Sequence, residues 1–223
     1  DDTNHNVITT YLSIEGGRNL IIGYDNPNNS YNDGFSSGFR SIISYAASQE
    51  SIHADLLSNT ITTGTELAQD GALANQDILV NINNVYGGYG DDFMLGNLHS
   101  NELHGNDGND EIDGDRGNDI LIGGQGSDTI DGHDDNDYIE GNAGSDILDG
   151  GDGNDIILGE EKNTEFGYDN HDTIIGGKGD DYMVGGDGND IYVYNVGDGK
   201  DIIFETEKLY SDDDGYHSTS GDL

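Results

Sequence analysis

A nine-residue repeat is the feature that most constrains how this chain can fold. Between Gly105 and Leu158 six units follow one another without a gap: GNDGNDEID, GDRGNDILI, GGQGSDTID, GHDDNDYIE, GNAGSDILD and GGDGNDIIL. Glycine opens every unit, aspartate fills the sixth place, and isoleucine or leucine fills the eighth. A fixed, short period of this kind predicts a solenoid in which each unit contacts its neighbours.

Each unit is typical of a turn followed by a short strand. The first six residues are rich in Gly, Asn and Asp, which tolerate positive φ and make tight turns. In the last three, side chains alternate between faces, so the eighth residue points one way and the seventh and ninth the other. Two units would make one flattened coil of about eighteen residues. Stacked coils predict two parallel sheets, a thin aliphatic core and a column of aspartates along each edge.

These columns favour a bound metal. Carboxylates repeated at the strand spacing of ~4.8 Å repel one another, and cations between them would turn that repulsion into attraction. Carboxylate and backbone carbonyl oxygens are hard ligands, and six to eight of them suit Ca²⁺. The chain has no cysteine and its histidines are scattered, which argues against zinc or copper.

Charge narrows the range of partners. The chain has 46 acidic and 7 basic residues and a formal net charge of -39. Binding to nucleic acid needs Lys and Arg at the phosphates, so no nucleic acid is expected as a partner. An anionic membrane surface is disfavoured for the same reason, and no apolar run is long enough to predict membrane insertion. No signal peptide is evident, and the start at Asp1 suggests a fragment of a longer polypeptide.

The repeats extend beyond the six regular units. Gly87–Leu95, Gly176–Val184 and Gly185–Val193 are full units, and Tyr194–Phe204 keeps an aspartate after two extra residues. Some units depart from the pattern. Asn101 takes an aspartate place, Asp135 replaces a fourth-place glycine, and the unit that ends at Ile175 carries an insertion around Lys162–Asn170.

Two segments flank the repeats, one before them and one after them. Residues 1–86 are expected to form a β-rich segment that is continuous with the solenoid of residues 87–204, and residues 205–223 are expected to form a departing tail. The strands expected in the first segment are Leu12–Ile14, Leu20–Ile22, Ser41–Tyr45, Ser51–Leu57 and Asp77–Val85. The stretch Thr65–Ala74 is open to two interpretations, a short helix or a loop insertion.

The tandem units resemble the RTX, or haemolysin-type calcium-binding, family, whose repeat is G-G-x-G-x-D-x-U-x. The resemblance covers Gly87–Phe204, and Ser44–Val85 is more weakly similar to sequence that precedes repeats in large RTX adhesins and exoproteins. It implies an all-β, right-handed parallel β-roll (β-solenoid) with a β-rich N-terminal flanking or capping segment. It also implies several Ca²⁺ ions, type I secretion from a Gram-negative bacterium, and folding outside the cell.

The resemblance implies that each ion lies between two turns on the same edge, two repeats apart, with sixth-place side chains and turn carbonyls as ligands. The candidate side chains are Asp92, Asn101, Asp110, Asp119, Asp128, Asp137, Asp146, Asp155, Asp172, Asp181, Asp190 and Asp201. The candidate turn glycines are Gly105, Gly108, Gly114, Gly117, Gly123, Gly126, Gly141, Gly144, Gly150 and Gly153. The site shared by Asn101 and Asp119 is expected to be weaker, the insertion puts the site beside Asp172 in question, and Asp135 either adds a ligand or distorts its turn.

The function implied is a calcium-binding module of a secreted, extracellular or cell-surface protein, and not an enzyme. Gly34–Gly38 matches the G-x-S-x-G nucleophile motif, but a polar loop precedes it where the motif needs a buried strand. Two alternatives stay open: a carbohydrate-binding or adhesion module of an RTX adhesin, and an accessory module of a secreted enzyme whose catalytic domain lies outside this chain. The third places carry no threonine ladder, which argues against ice binding.

The outer faces of the two predicted sheets differ. One carries polar residues such as Glu111 and Asp131, and the other is apolar, with Ile120, Ile156 and Tyr182 among its residues. A contiguous apolar patch on a soluble protein tends to mark an interface. We therefore expect the flank, the tail or a partner chain to cover the second face.

Overall fold

The described residues form twenty β-strands and no helix. The computed structural model describes residues 20–22, 42–63, 76–80, 82–160, 170–204, 209–212 and 215–218. In chain order the strands are β1 (Leu20–Ile22), β2 (Ile42–Ser44), β3 (Ile52–Asp55), β4 (Thr60–Thr63), β5 (Gln76–Val80), β6 (Asn84–Tyr86), β7 (Phe93–Asn97), β8 (Glu102–Asp107), β9 (Glu111–Asp115), β10 (Ile120–Gln125), β11 (Thr129–Asp131), β12 (Tyr138–Ala143), β13 (Ile147–Asp149), β14 (Ile156–Leu158), β15 (Thr173–Ile175), β16 (Tyr182–Val184), β17 (Ile191–Val193), β18 (Ile202–Phe204), β19 (Leu209–Asp212) and β20 (Gly215–Ser218).

Two stacked sheets make up the roll. The first has the order β1-β5-β4-β3-β7-β9-β11-β13-β15-β17, and the second has the order β18-β16-β14-β12-β10-β8-β6-β2. From β6 to β18 consecutive strands alternate between the sheets, and within each sheet their pairing is parallel. This is the all-β, parallel β-roll that the repeats predict.

The strand register confirms the length of one coil. Ile120 pairs with Tyr138, and Thr129 pairs with Ile147, so a strand meets its neighbour two units further along the chain. The ladder continues into the turns, where the N–H of Thr129 donates to the carbonyl of Asp110 (2.8 Å). Because every turn is hydrogen-bonded to the turns above and below it, the sixth-place residues are held at one strand spacing.

The core is one side chain thick. Its members in the repeats are the eighth-place residues, all with no more than 1% of their surface exposed: Met94, Leu103, Ile112, Leu121, Ile130, Ile139, Leu148, Ile157, Ile174 and Met183. The pattern of the sequence predicts each of them, since the eighth residue of every unit faces inward. At the C-terminal end the core opens, because Tyr192 is only partly buried and Ile203 is 42% exposed.

Before the repeats, strands of the flank extend both sheets. β1, β2 and β3 lie within the stretches predicted as strands, whereas β4 is not predicted. The prediction of a single strand at Asp77–Val85 is wrong, because this stretch contributes to two strands, β5 and β6, which lie in different sheets. β4 runs antiparallel to both β3 and β5, so the parallel ladder stops at β3. The predictions for Leu12–Ile14 and Thr65–Ala74 lie outside the described residues.

In the predicted C-terminal tail, β19 and β20 pair as an antiparallel hairpin. The boundaries proposed for the flank, the repeats and the tail stay predictions. Among the residues described, none belongs to a helix that is long and apolar enough to cross a membrane.

The outer faces differ as predicted, but the described flank leaves the apolar one open. Ile156 and Tyr182 on the second sheet are 44% and 40% exposed, and Ile120 is partly exposed. Ile202 and Phe204 at the end of this face are exposed as well. The expectation that this chain itself covers Ile156 and Tyr182 is therefore not met by its described part, and cover by a partner chain stays a prediction.

Candidate metal sites

Two columns of sixth-place residues follow the two edges of the roll. Each residue stands directly before a strand, where the turn ends. The first column precedes strands of the first sheet and contains Asp92, Asp110, Asp128, Asp146, Asp172 and Asp190. The second column precedes strands of the second sheet and contains Asn101, Asp119, Asp137, Asp155, Asp181 and Asp201.

Within each column one carboxylate oxygen is held by the backbone. The N–H of Asp110 donates to Oδ1 of Asp128 at 2.8 Å, and the N–H of Asp119 donates to Oδ1 of Asp137 at the same distance. The same bond joins Asp128 to Asp146 (2.8 Å). Each aspartate therefore points into its column with a fixed rotamer, because its Oδ1 is tied to the turn two repeats earlier.

The second carboxylate oxygen has no such partner. Within the part of the chain that the structure describes, nothing donates a hydrogen bond to the buried Oδ2 atoms of Asp110, Asp119, Asp128, Asp137, Asp146, Asp155, Asp172, Asp181 and Asp190. Leaving one buried polar oxygen unpaired is costly, and here the pattern repeats along both edges. An unpaired oxygen in every interior turn indicates that a ligand belongs beside it.

Burial makes the charged form of these carboxylates unfavourable. It raises the pKa of Asp110 to about 8, that of Asp119 to about 9 and that of Asp128 to about 6, against the lowering effect of the backbone hydrogen bond. The charge of neighbouring carboxylates raises the pKa of Asp110 and Asp119 further. A cation in the column would offset both effects, since it favours the charged form.

First-place glycines leave room for such a cation. A Cβ at Gly150 would lie 2.5 Å from Oδ2 of Asp155 and 2.6 Å from the carbonyl oxygen of Gly176 in the next turn of that edge. A carboxylate and a backbone carbonyl thus converge on a space that any larger residue would fill. Both are hard oxygen ligands of the kind that Ca²⁺ binds.

Comparison with known families decides between the possible metals. The family model of the RTX calcium-binding nonapeptide repeat matches residues 82–99, 86–121, 95–130, 131–161 and 166–203. The chain belongs to this family. A comparison with curated proteins finds no match.

The RTX repeats bind calcium as a structural module, and their β-roll is not a catalytic fold. The residues of the two columns fit this metal, because buried carboxylate oxygens and turn carbonyls point to the same spaces. In the described ranges no three His, Cys, Asp or Glu side chains come together as a ready-made metal cluster. Calcium takes six to eight oxygens, so an RTX site here has to draw most of its ligands from the turn backbone.

The RTX repeats nearest the flank differ from those behind them. Asp92 has both oxygens in use, because Oδ1 accepts from the N–H of Ile52 (2.7 Å) and Oδ2 from the N–H of Gly88 (2.8 Å). The amide of Asn101 is occupied too: its Oδ1 accepts from the N–H of Asn97 (2.8 Å). Backbone N–H groups therefore occupy the side-chain oxygens at these two positions, and the weaker site expected at Asn101 stays a prediction.

Two departures from the repeat keep the turn geometry. Asp135 has a φ of 83°, the left-handed conformation that Gly126 (130°) adopts at the same place of its unit. The side chain of Asp135 is exposed, and whether it adds a ligand stays a prediction. Despite the insertion, Asp172 stays in its column, where its Oδ1 accepts from the N–H of Asp146 (2.9 Å).

A second ladder runs beside the first, and the sequence analysis missed it. Fifth-place side chains accept from the backbone N–H of the fifth-place residue two repeats later, as Asn136 does from Asn154 (2.7 Å). Other acceptors of this kind are Asp91, Asn109, Ser127, Ser145, Asn118, Asn154, His171 and Asp180. The signal was present as the Asn, Ser and Asp bias of the fifth place, since these side chains bond to backbone readily.

Away from the columns, His133 has carboxylate neighbours on the outer face of the first sheet. Its Nε2 lies 3.1 Å from Oδ2 of Asp113 and 3.5 Å from Oδ2 of Asp131. Partial burial lowers the pKa of His133, but these carboxylates raise it by more, so the net shift is upward. We interpret this group as a partly exposed ion pair. The Gly34–Gly38 motif lies outside the described residues.

Proposed function

We propose that this chain is the calcium-dependent folding module of a larger secreted or cell-surface protein. The observation that carries the proposal is the pair of columns with a buried, unpaired carboxylate oxygen at each interior turn. A domain with a thick apolar core can tolerate a few such groups, but this roll buries only one aliphatic side chain per repeat. The carboxylates are therefore a large cost that calcium would remove.

The proposed ligands are the sixth-place carboxylates together with turn carbonyls, and each ion would lie between two turns of one edge. Asp110 would share ions with Asp128, and Asp119 with Asp137. These pairs are supported by the column hydrogen bonds that hold each aspartate beside the next one. When bound, calcium supplies positive charge where each column would otherwise repel itself.

Calcium dependence of this kind suits a protein that must stay unfolded until it is outside the cell. The net charge of -39 opposes collapse of the chain when no cation is present. We infer export by type I secretion from a Gram-negative bacterium, followed by folding on extracellular calcium. In this proposal, residues 87–204 are the calcium-binding roll, residues 1–86 flank or cap it, and residues 205–223 follow as a tail.

Two other roles are compatible with the same fold. The chain could serve an RTX adhesin as a carbohydrate-binding or adhesion module, for which the exposed Ile156 and Tyr182 would offer a surface. It could also be the accessory module of a secreted enzyme whose catalytic domain lies elsewhere in the polypeptide. If the chain is part of a longer polypeptide, the other domains of that polypeptide discriminate between these roles.

Circular dichroism with and without calcium tests the proposal. We expect a largely disordered spectrum in EDTA and a β spectrum at extracellular calcium, with a midpoint of about 10⁻⁴–10⁻³ M. Magnesium is the matched control, because it demands a tighter octahedral site and should not replace calcium. A β spectrum that is unchanged in EDTA would contradict the proposal.

A further inference from the structure

Glu160 is unlike every other second-place residue in the described repeats. The neighbouring turns carry Asn142 (φ 73°) and Gly186 (φ 99°) at this place, both in the left-handed conformation, and their side chains are short or absent. Glu160 is instead a long carboxylate with only 8% of its surface exposed. A buried glutamate in a turn needs partners or a ligand.

The insertion enters the turn directly after Glu160. The hydrogen bond from Asp146 to Asp172 spans 26 residues, against 18 for the bond from Asp128 to Asp146, so the turn holds 26 − 18 = 8 extra residues. Asn170 takes the fourth place of its unit. Its carbonyl oxygen lies against the Cβ position of the fourth-place Gly188, and in the regular repeats the carbonyl oxygen of Gly108 lies against the Cβ position of Gly126 in the same way. The extra residues therefore replace the third place, between Glu160 and Asn170.

Contacts fix one end of the Glu160 carboxylate and leave the other open. Oε2 accepts the N–H of Asp187, which belongs to the next turn of the same edge, and the side chain of Asn170 also bonds to Glu160. Oε1 is buried, and no donor among the described residues reaches it. The carboxylate thus spans the gap between the interrupted turn and the turn of Gly185–Asp190.

Residues of the first column lie near the Glu160 carboxylate. The Glu160 carboxylate is close enough to Asp146 and Asp172 for its charge to add to the burial that raises the pKa of both. Asp190 acts on Glu160 in the same way. The Oδ2 atoms of Asp172 and Asp190 are themselves without a partner in the described chain. Three unpaired carboxylate oxygens therefore belong to two successive turns.

We propose that Glu160 is a side-chain calcium ligand of a specialised site between the interrupted turn and the turn of Gly185–Asp190. The inference rests on the proposed calcium function and adds a ligand that the nine-residue motif does not contain. The other turns offer only their sixth-place carboxylate and backbone oxygens. A carboxylate in addition to the sixth-place one gives this site more negative charge, which raises calcium affinity, and it ties the turn with the insertion to its neighbour.

The test is calcium titration calorimetry of Glu160→Gln in the whole chain. Glutamine keeps an oxygen that can accept from the N–H of Asp187, so the structural bond survives while the charge is lost. We expect one class of sites to weaken by about tenfold or more. Glu111→Gln is the matched control, because Glu111 is exposed on the outer face of the first sheet. Unchanged numbers and affinities of sites in Glu160→Gln would overturn the proposal.

A local probe separates this site from the others. The hydroxyl of Tyr192 lies 2.6 Å from the Cβ position of Gly185, which Oδ2 of Asp190 also borders. Terbium bound there should luminesce on excitation of tyrosine, and the Tyr192→Phe variant reports how much of the signal comes from this site. We expect Glu160→Gln to lose the signal that depends on Tyr192. Retention of that signal at the same terbium concentration would count against Glu160 as a ligand.

Failure of the two proposals can be told apart. If the unmodified chain binds no calcium, the proposed function is wrong, and the role of Glu160 falls with it. If the unmodified chain binds calcium and Glu160→Gln binds equally well, only the role of Glu160 is wrong. Should Glu160→Gln be unfolded at moderate calcium, recovery of the β spectrum in excess calcium supports a ligand, and no recovery means a purely structural role.

Discussion

Interior and terminal repeats both carry aspartate at the sixth place, but the surroundings of its carboxylate oxygens differ between the two regions. Asp128, in the interior, is 1% exposed and its Oδ2 has no partner among the described residues. Asp92, at the first repeat, has backbone donors on both oxygens. Asp201, at the last repeat, is partly exposed to water and accepts one long bond of 3.3 Å from the N–H of Asp181.

The difference shows that position in the stack decides how strongly a carboxylate depends on a cation. A turn with neighbours on both sides loses its water, whereas a turn at the end keeps either water or a flank that donates hydrogen bonds. The core follows the same rule, since Leu121 is fully buried and Ile203 is not. In a linear array each interior unit is coupled to two interfaces, and a terminal unit to one.

Core substitutions should show the largest difference in stability between interior and terminal repeats. Leu121→Ala is expected to lower the free energy of unfolding in excess calcium by about 2–5 kcal/mol, because it leaves a cavity between two sheets. Ile203→Ala should cost about 1 kcal/mol, because its side chain is already partly in water. Urea unfolding of both variants measures the difference, and equal losses would show that the last coil is packed as tightly as the interior.

A smaller contrast is expected between Asp128→Ala and Asp92→Ala. The first removes a carboxylate whose Oδ2 has no other use, so the calcium midpoint should rise by about tenfold. The second removes an oxygen pair that already serves Ile52 and Gly88, so its effect on the calcium midpoint should be smaller. Calcium titrations followed by circular dichroism measure both midpoints. Equal midpoints would break the distinction between interior and terminal repeats.

The smallest expected effect is that of pH in calcium-free buffer. The interior carboxylates have folded-state pKa values raised above the ordinary value of 3.8, to about 7 for Asp146 and about 8 for Asp137, mainly by burial. A folded state that holds protons more tightly than the unfolded chain is most stable at low pH and loses that stability as pH rises through these pKa values.

Circular dichroism in EDTA should therefore show more residual β structure at about pH 5 than at about pH 9. With calcium present the trend should reverse, because protons compete with the metal for the same oxygens. A β signal in EDTA that does not change with pH would mean that the interior carboxylates are not buried as the structure has them.

The repeat itself made much of the fold predictable. Ile139 and its equivalents face the core because the eighth place always points inward, and Asp128 and its equivalents align because the period is constant. Outside the repeats the prediction was less complete, since β1, β2 and β3 lie in predicted stretches but β4 was not predicted. β4 pairs antiparallel with β3 and β5, a choice that depends on distant segments and that no local pattern records.

The candidate metal sites, like the fold, were predictable only in part. The columns were predictable as positions, but the state of each oxygen was not. Asp92 and Asp128 look identical in sequence, and both accept a backbone N–H at Oδ1, but only Asp92 also accepts one at Oδ2, from Gly88. Glu160 was hidden for a different reason: it occupies a place where the motif asks for no particular side chain, and the sequence does not show that its carboxylate is buried.

A crystal structure grown in calcium tests the central claim most directly. The account predicts cations along both edges, each within about 2.3–2.6 Å of the Oδ2 atoms of interior aspartates such as Asp119 and Asp128 and of turn carbonyls. Occupancy should be lowest beside Asn101 and at the last repeat. Interior Oδ2 atoms that remain buried with no cation beside them, in crystals that contain calcium, would contradict it.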